Sequence, residues 1–366
     1  MNNLRLPILV LSTLLALQSC AIFAPRLTED ELTKLTFLRG KLSYEYSAPR
    51  LVEGEMVLTI SDIKAIPPDS LQRLRAKYSI PESADPRFQI WSSGIQTHKT
   101  QWLLDEPVVD LPPTVSYREI EYGNKIHYWN LPDLAPSQNE ITLRRSFKYV
   151  TFDYRPEVSE EWEQNYWEMI PVAIIQRYTR SEPFLEQDDA LKDTVAALLQ
   201  EVENPVQKAR ILFDWVREHL TYVYPPEERG VRHAFSAGSG DCGQYSALFI
   251  TMARIAGIPA RQQSGYTIKG KGFSAHVWSE IYLPWEGWVP IDATREDGFL
   301  HLDNARLIAS IGLNIPLEPV PDWASFAFSE VEDERTDFMQ MFTLLKYGYT
   351  ANFKTEQRVI RSVEIP

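Results

Sequence analysis

A change of period in the middle of the chain constrains its fold more than any other feature. Gly238-Ser239-Gly240-Asp241 is a glycine-rich turn, and Cys242 to Ala256 behind it sets Tyr245, Leu248, Phe249, Met252 and Ile255 at helical spacing. Gly257 and Pro259 end that run. Strand-like runs follow at Ala260 to Thr267, His276 to Leu283 and Trp288 to Asp292. A one-faced helix feeding consecutive strands predicts an α+β domain with the helix packed on an antiparallel sheet. Two more helices precede it. Asp188 to Val202 carries Leu191, Val195 and Leu198 on one stripe, and Asn204-Pro205 caps and opens Val206 to His219.

The first half keeps a period of two. Leu42 to Tyr46, Met56 to Ile60, Phe88 to Trp91 and Ile126 to Trp129 alternate. Ile141, Leu143, Phe147 and Tyr149 share one face of a longer strand, with Arg144 and Lys148 opposite. Pro67-Pro68, Gly94, Pro112-Pro113, Gly123 and Pro136-Ser137 supply turns. This pattern predicts an antiparallel β-sandwich over 41–155, followed by the helix-and-sheet domain over 170–300. Residues 301–366 read as a C-terminal extension, with a helix near Asp337 to Tyr347 and a final strand.

Residues 1–19 have the layout of a secretory signal: Arg5, then an apolar run from Leu6 to Leu17. A membrane-spanning helix needs ~20 residues, so the run fits a cleaved leader better. Leu17-Gln18-Ser19-Cys20 resembles the lipobox of bacterial lipoproteins, which implies lipid on Cys20 and a tether over 20–40 ending in a short acidic helix. Acyl chains at ~0.8 kcal/mol per buried CH2 hold a protein on a membrane. Ala21, in place of an Asp, favours the periplasmic side of the outer membrane in a Gram-negative cell. The alternatives are a plain signal peptide or a short anchor.

The net charge of −13 repels a phosphate backbone, which argues against a nucleic-acid partner. Cys20 and Cys242 are the only cysteines, too few for a disulfide framework or a thiolate metal cluster.

Cys242 opens a helix, where unpaired N–H groups and about half a positive charge favour a thiolate and can receive an oxyanion. Asp241 opposes this unless it caps the helix or turns to solvent. Period two puts His276, Trp278, Glu280 and Tyr282 on one strand face. A five-residue loop, Leu283 to Gly287, pairs Tyr282 with Trp288 and sets Asp292 on the face of His276. A loop one residue shorter separates them.

The order Cys, His, Asp resembles the transglutaminase-like superfamily, whose papain-related fold puts the nucleophile at a helix start and His and Asp on adjacent strands. The matching text runs from Gly240-Asp241-Cys242-Gly243-Gln244-Tyr245 through Gly257-Ile258-Pro259-Ala260-Arg261 and Ala275-His276-Val277-Trp278 to Trp288-Val289-Pro290-Ile291-Asp292. The resemblance implies Cys242 as nucleophile, His276 as base and acid, and Asp292 as its orienter. It implies cleavage or transfer of peptide or glutamine amides through a Cys thioester, with no cofactor or metal. Gln244, Trp278 and Tyr222 are the candidate oxyanion side chains. The competing reading is a silent binding or scaffold lipoprotein that keeps the fold. Residue by residue, Cys242 can be a small core residue, Asp292 a turn cap, and the three together a zinc set. Trp285 and Trp288 are candidates to line a groove.

Overall fold

The computed structural model describes residues 27–39, 43–132, 134–158, 166–321, 335–336, 340 and 342–365. Cys20 and residues 1–19, for which a leader is expected, lie outside them. The alternation around Met56 belongs to β1 (Tyr46–Ala65), which follows helix α1 (Glu29–Arg39). Next come α2 (Pro68–Tyr78), β2 (Arg87–Ser93), β3 (Gln101–Val109), β4 (Val115–Arg118), β5 (Lys125–Pro132) and β6 (Glu140–Tyr154). Helices α3 (Val172–Tyr178), α4 (Asp189–Leu198) and α5 (Pro205–His219) lead to the short β7 (Thr221–Tyr222), α6 (Val231–Ala237) and β8 (Ser239–Gly240). Helix α7 (Cys242–Ile255) precedes β9 (Ala260–Lys269), β10 (Gly272–Leu283), β11 (Gly287–Ile291) and β12 (Arg306–Ile311). The chain continues through β13 (Ile315–Pro316), β14 (Arg335–Thr336), β15 (Phe342–Tyr347) and β16 (Tyr349–Glu364).

Two antiparallel sheets, β16-β1-β6-β3 and β15-β2-β5-β4, make the sandwich. Leu58, Ile60, Phe88, Ile90, Trp129, Leu143 and Tyr349 fill the space between them. A third sheet, β11-β10-β9-β12, carries the helices. Its residues Ile281, Leu283, Val289 and Ile291 bury against Leu248, Phe249 and Met252 of α7 and Leu212, Phe213 and Val216 of α5. On the sandwich side, Tyr266, Leu307 and Ala309 pack with Val52, Met56, Phe147 and Tyr149. The α+β architecture is thus the expected one.

The segment 301–366 is not an appendage. Strand β12 closes the helix-bearing sheet, β15 pairs with β2, and β16 runs along β1 from Tyr349 to Glu364. The sandwich therefore needs strands from both ends of the chain. The helix expected near Asp337 to Tyr347 is a strand where it is described. Leu345 and Tyr347 are buried on alternate positions, and pairing from Phe342↔Ser92 to Tyr347↔Arg87 overrides local helix propensity. Two smaller readings also change. Tyr44 and Glu45 form a turn, so the first strand begins at Tyr46; Pro67-Pro68 is the entry to α2, with Pro68 at its first helical position.

Strand β12 is an edge of its sheet, and the sandwich covers that edge with side-chain amides. Gln101 accepts from Ile308 N at 2.8 Å and donates to Ile308 O at 3.1 Å. Asn124 does the same for Ile311, at 2.8 and 2.7 Å. These bonds satisfy backbone groups that an open edge leaves exposed, and fix β12 against the first domain.

Candidate active site

The start of α7 is held from three sides. Strand β7 runs parallel to β8, setting Tyr222 opposite Gly240, two residues before Cys242. Asp241 is the N-cap. Its Oδ1 accepts from Gly243 N at 3.0 Å and Gln244 N at 3.3 Å, while Gln244 Oε1 accepts from Asp241 N at 3.4 Å. This reciprocal capping box stabilises the helix end by about 1 kcal/mol. Asp241 Oδ2 takes Arg229 Nη1 at 2.5 Å. The Asp241 carboxylate thus caps the helix, is buried and is paired with a cation, rather than turning to solvent.

Tyr282 pairs with Trp288, as the loop length requires, and His276 and Asp292 meet. His276 Nε2 lies 2.8 Å from Asp292 Oδ2, and the Cys242 thiol is near enough to the ring to raise its pKa. With Nε2 occupied by Asp292, Nδ1 is the nitrogen left for sulfur. Burial pushes the His276 pKa down. The bond to Asp292, the nearby Cys242 thiol and the Asp292 charge outweigh burial and the opposing Arg306, raising it to about 9. Burial pushes Asp292 up, but His276, Arg306 and Thr294 prevail and hold it at about 2. Asp292 also caps the following turn: Oδ1 accepts from Thr294 Oγ1 at 2.6 Å and Thr294 N at 3.2 Å. The carboxylate thus contacts His276 through one oxygen and caps the turn through the other.

Cys242 is half-buried at the floor of a cleft bordered by Tyr222, Tyr224, Arg229, Ser274, Val277 and Gln340. Of the three oxyanion candidates, two point elsewhere. Gln244 is buried and spends its amide on the cap and on Glu228 O at 2.8 Å. Trp278 is fully buried, stacks beside His276 and bonds to Gln263. Tyr222 is half-exposed and borders the cleft beside Cys242. Trp288 packs between Tyr178 and Arg261, so of the tryptophan pair only Trp285 is exposed. Among the described residues no group of three His, Cys, Asp or Glu is placed to hold a metal ion.

Three contributors were not apparent from sequence. Arg306, from β12, donates to Asp292 Oδ2 at 3.0 Å. Gln340 donates to His276 O and Gly265 O, both at 3.0 Å, joining the backbones of β10 and β9 beside the histidine. Arg229 secures the N-cap. Only Thr294 had a local signal, since Asp-x-Thr is a pattern in which an acidic side chain bonds two residues ahead.

Residues 192–293 match the family model of the transglutaminase-like superfamily, and the matched stretch includes the Cys, His and Asp just described. The chain carries a transglutaminase-like superfamily domain. A candidate cysteine protease from Cytophaga hutchinsonii has a similar fold, with a TM-score of 0.51 over 88% of this chain and 94% of that one, at 14% identity. Kyphoscoliosis peptidase of Mus musculus is 25% identical over 163 residues, 40% of this chain and 24% of its own length. Protein-glutamine gamma-glutamyltransferase of Pseudomonas aeruginosa is 31% identical over 102 residues, 24% of this chain and 15% of its own. The chain therefore spans about a quarter or less of these two curated relatives.

Proposed function

We propose that this protein is a thiol-dependent acyl-transfer enzyme acting on peptide or glutamine amides, with Cys242 as nucleophile, His276 as base and acid, and Asp292 as orienter. The observation that carries this reading is the 2.8 Å pairing of His276 with the buried Asp292, beside the thiol that opens α7. The thiolate attacks the amide carbon, a C–S bond forms, and the carbonyl electron pair moves onto oxygen. The Cys242 N–H and the Tyr222 phenol are the donors beside that oxygen. As the pair returns, the C–N bond breaks and His276 gives its proton to the leaving amine. Water, deprotonated by His276, then hydrolyses the thioester; a primary amine in its place makes the reaction a transamidation. The peptidase and glutamyltransferase among the relatives correspond to these two outcomes.

A peptide library incubated with the protein, with and without a primary amine, and analysed by mass spectrometry separates the two outcomes. New termini support hydrolysis, amine adducts support transfer, and unchanged peptides in both arms favour the silent scaffold. We further propose that Cys20 carries lipid and holds the protein on the extracytoplasmic face of a bacterial membrane. A metabolic fatty-acid analogue should mark the protein, and Cys20→Ala should abolish the mark; unchanged labelling contradicts the anchor.

A further inference from the structure

A second, smaller pocket lies behind the Cys242 cleft, and the two share Arg229 and Gly243 as a common wall. Its volume is about 40 Å³, against about 360 Å³ for the cleft. Phe184, Ala247 and Leu313 supply apolar walls. Its two glutamines do not make it polar. Gln244 has both ends of its amide engaged by Asp241 N and Glu228 O, and Gln262 donates its amide to Ser264 Oγ at 3.0 Å.

The backbone around it is specialised. Phe184 is held at φ +66°, a conformation that bulky residues rarely adopt, and Gly230 at φ +97°. A bond from Val231 N to Phe184 O at 3.1 Å locks these two walls together. At the boundary with the cleft, a Cβ on residue 243 sits 3.2 Å from Asp241 Oδ1 and 3.6 Å from Arg229 Nη1, so glycine keeps that shared wall low.

We propose that this pocket is a side-chain subsite, and that the enzyme selects peptide acyl donors carrying a compact aliphatic residue near the reacting amide. The inference rests on the acyl-transfer reading above. A substrate lying in the cleft over Cys242 passes the Arg229–Gly243 wall and can place one side chain behind it. Apart from the Arg229 guanidinium, already paired with Asp241, the walls give a charged side chain no partner, which makes its burial unfavourable. The volume excludes a large ring where Phe184 and Leu313 are fixed. Selection therefore depends on size and polarity together.

The test uses peptide esters as acyl donors, identical except for Ala, Val, Phe, Glu or Lys at each position flanking the reacting carbonyl. At one position, acylation of Cys242 should be at least tenfold faster with Ala or Val than with Phe, Glu or Lys. Phe184→Ala should enlarge the pocket and reduce the disadvantage of Phe at least fivefold. Ala247→Val should fill it and shift preference from Val to Ala. Iodoacetamide alkylation, which needs the thiol and not the pocket, monitors the fold of each variant. If one variant fails to fold, the other decides. Equal rates across the series, or a preference unchanged in a folded variant, overturn the subsite while leaving acyl transfer standing. A chain that alkylates but accepts no donor overturns the acyl-transfer reading and the subsite with it.

Discussion

Arg306 Nη2 lies 3.0 Å from Asp292 Oδ2, the oxygen that also receives His276 Nε2. The carboxylate is almost fully buried and accepts from three residues, so its charge and its orientation are both fixed. A cation from outside the 192–293 match thus supports the His–Asp pair inside it.

Replacing Arg306 with Met should be costly in two ways. Leaving Asp292 without its buried cation should destabilise the protein by about 3 kcal/mol, measurable by denaturant unfolding. Arg306 also holds the His276 pKa down, so the alkaline limb of the acylation profile should move to higher pH. An unchanged limb in a folded variant removes Arg306 from the account.

The pH dependence of stability follows from the same pair. His276 titrates near 9 in the fold and near 6.5 unfolded, so its stabilisation is full below pH 6.5 and disappears as pH rises through 9. Asp292 behaves oppositely, contributing above pH 3.8 and losing its contribution as pH falls toward 2. The melting-temperature deficit of His276→Ala should therefore be larger at pH 6 than at pH 10. A deficit equal at both values contradicts the assignment.

Tyr222→Phe removes a donor to the oxyanion while leaving the thiol and histidine in place. Acylation by an amide or ester should slow by about 10²-fold, the effect typical of losing one oxyanion donor. Alkylation by iodoacetamide forms no oxyanion and should stay within about threefold. If both rates are unchanged, the phenol has no part in the chemistry.

Gly265 links the fold to the site. A Cβ there sits 1.9 Å from Leu307 O, so Gly265→Ala forces β12 away from β9 and takes Arg306 with it. The expected loss is about 2 kcal/mol of stability together with most of the acylation rate. A variant of native stability and activity shows that β12 adapts without moving its arginine.

The helix-and-sheet domain was legible because its signals are local. The Asp241–Cys242 helix start, the apolar stripe of α7 and the odd loop before Trp288 each act over a few residues. Arg306, Gln340 and Arg229 were not legible, since nothing beside them in sequence marks their distant partners. The same limit explains the C-terminal strands. Phe342–Tyr347 alternates over too few positions to outweigh helix-forming Leu and Lys, and its character comes from β2, far earlier in the chain. Arg145 is a further case. It occupies the apolar face shared by Leu143 and Phe147 and is buried there, bonded to Ser93 O and Met56 Sδ.

The most direct measurement is the intact mass of the protein after brief mixing with a peptide amide or ester at neutral pH. The account predicts an acyl adduct on Cys242, absent in Cys242→Ala, strongly slowed in His276→Ala and discharged by water or amine. A Cys242 that alkylates readily with iodoacetamide yet never carries an acyl group from any donor contradicts it.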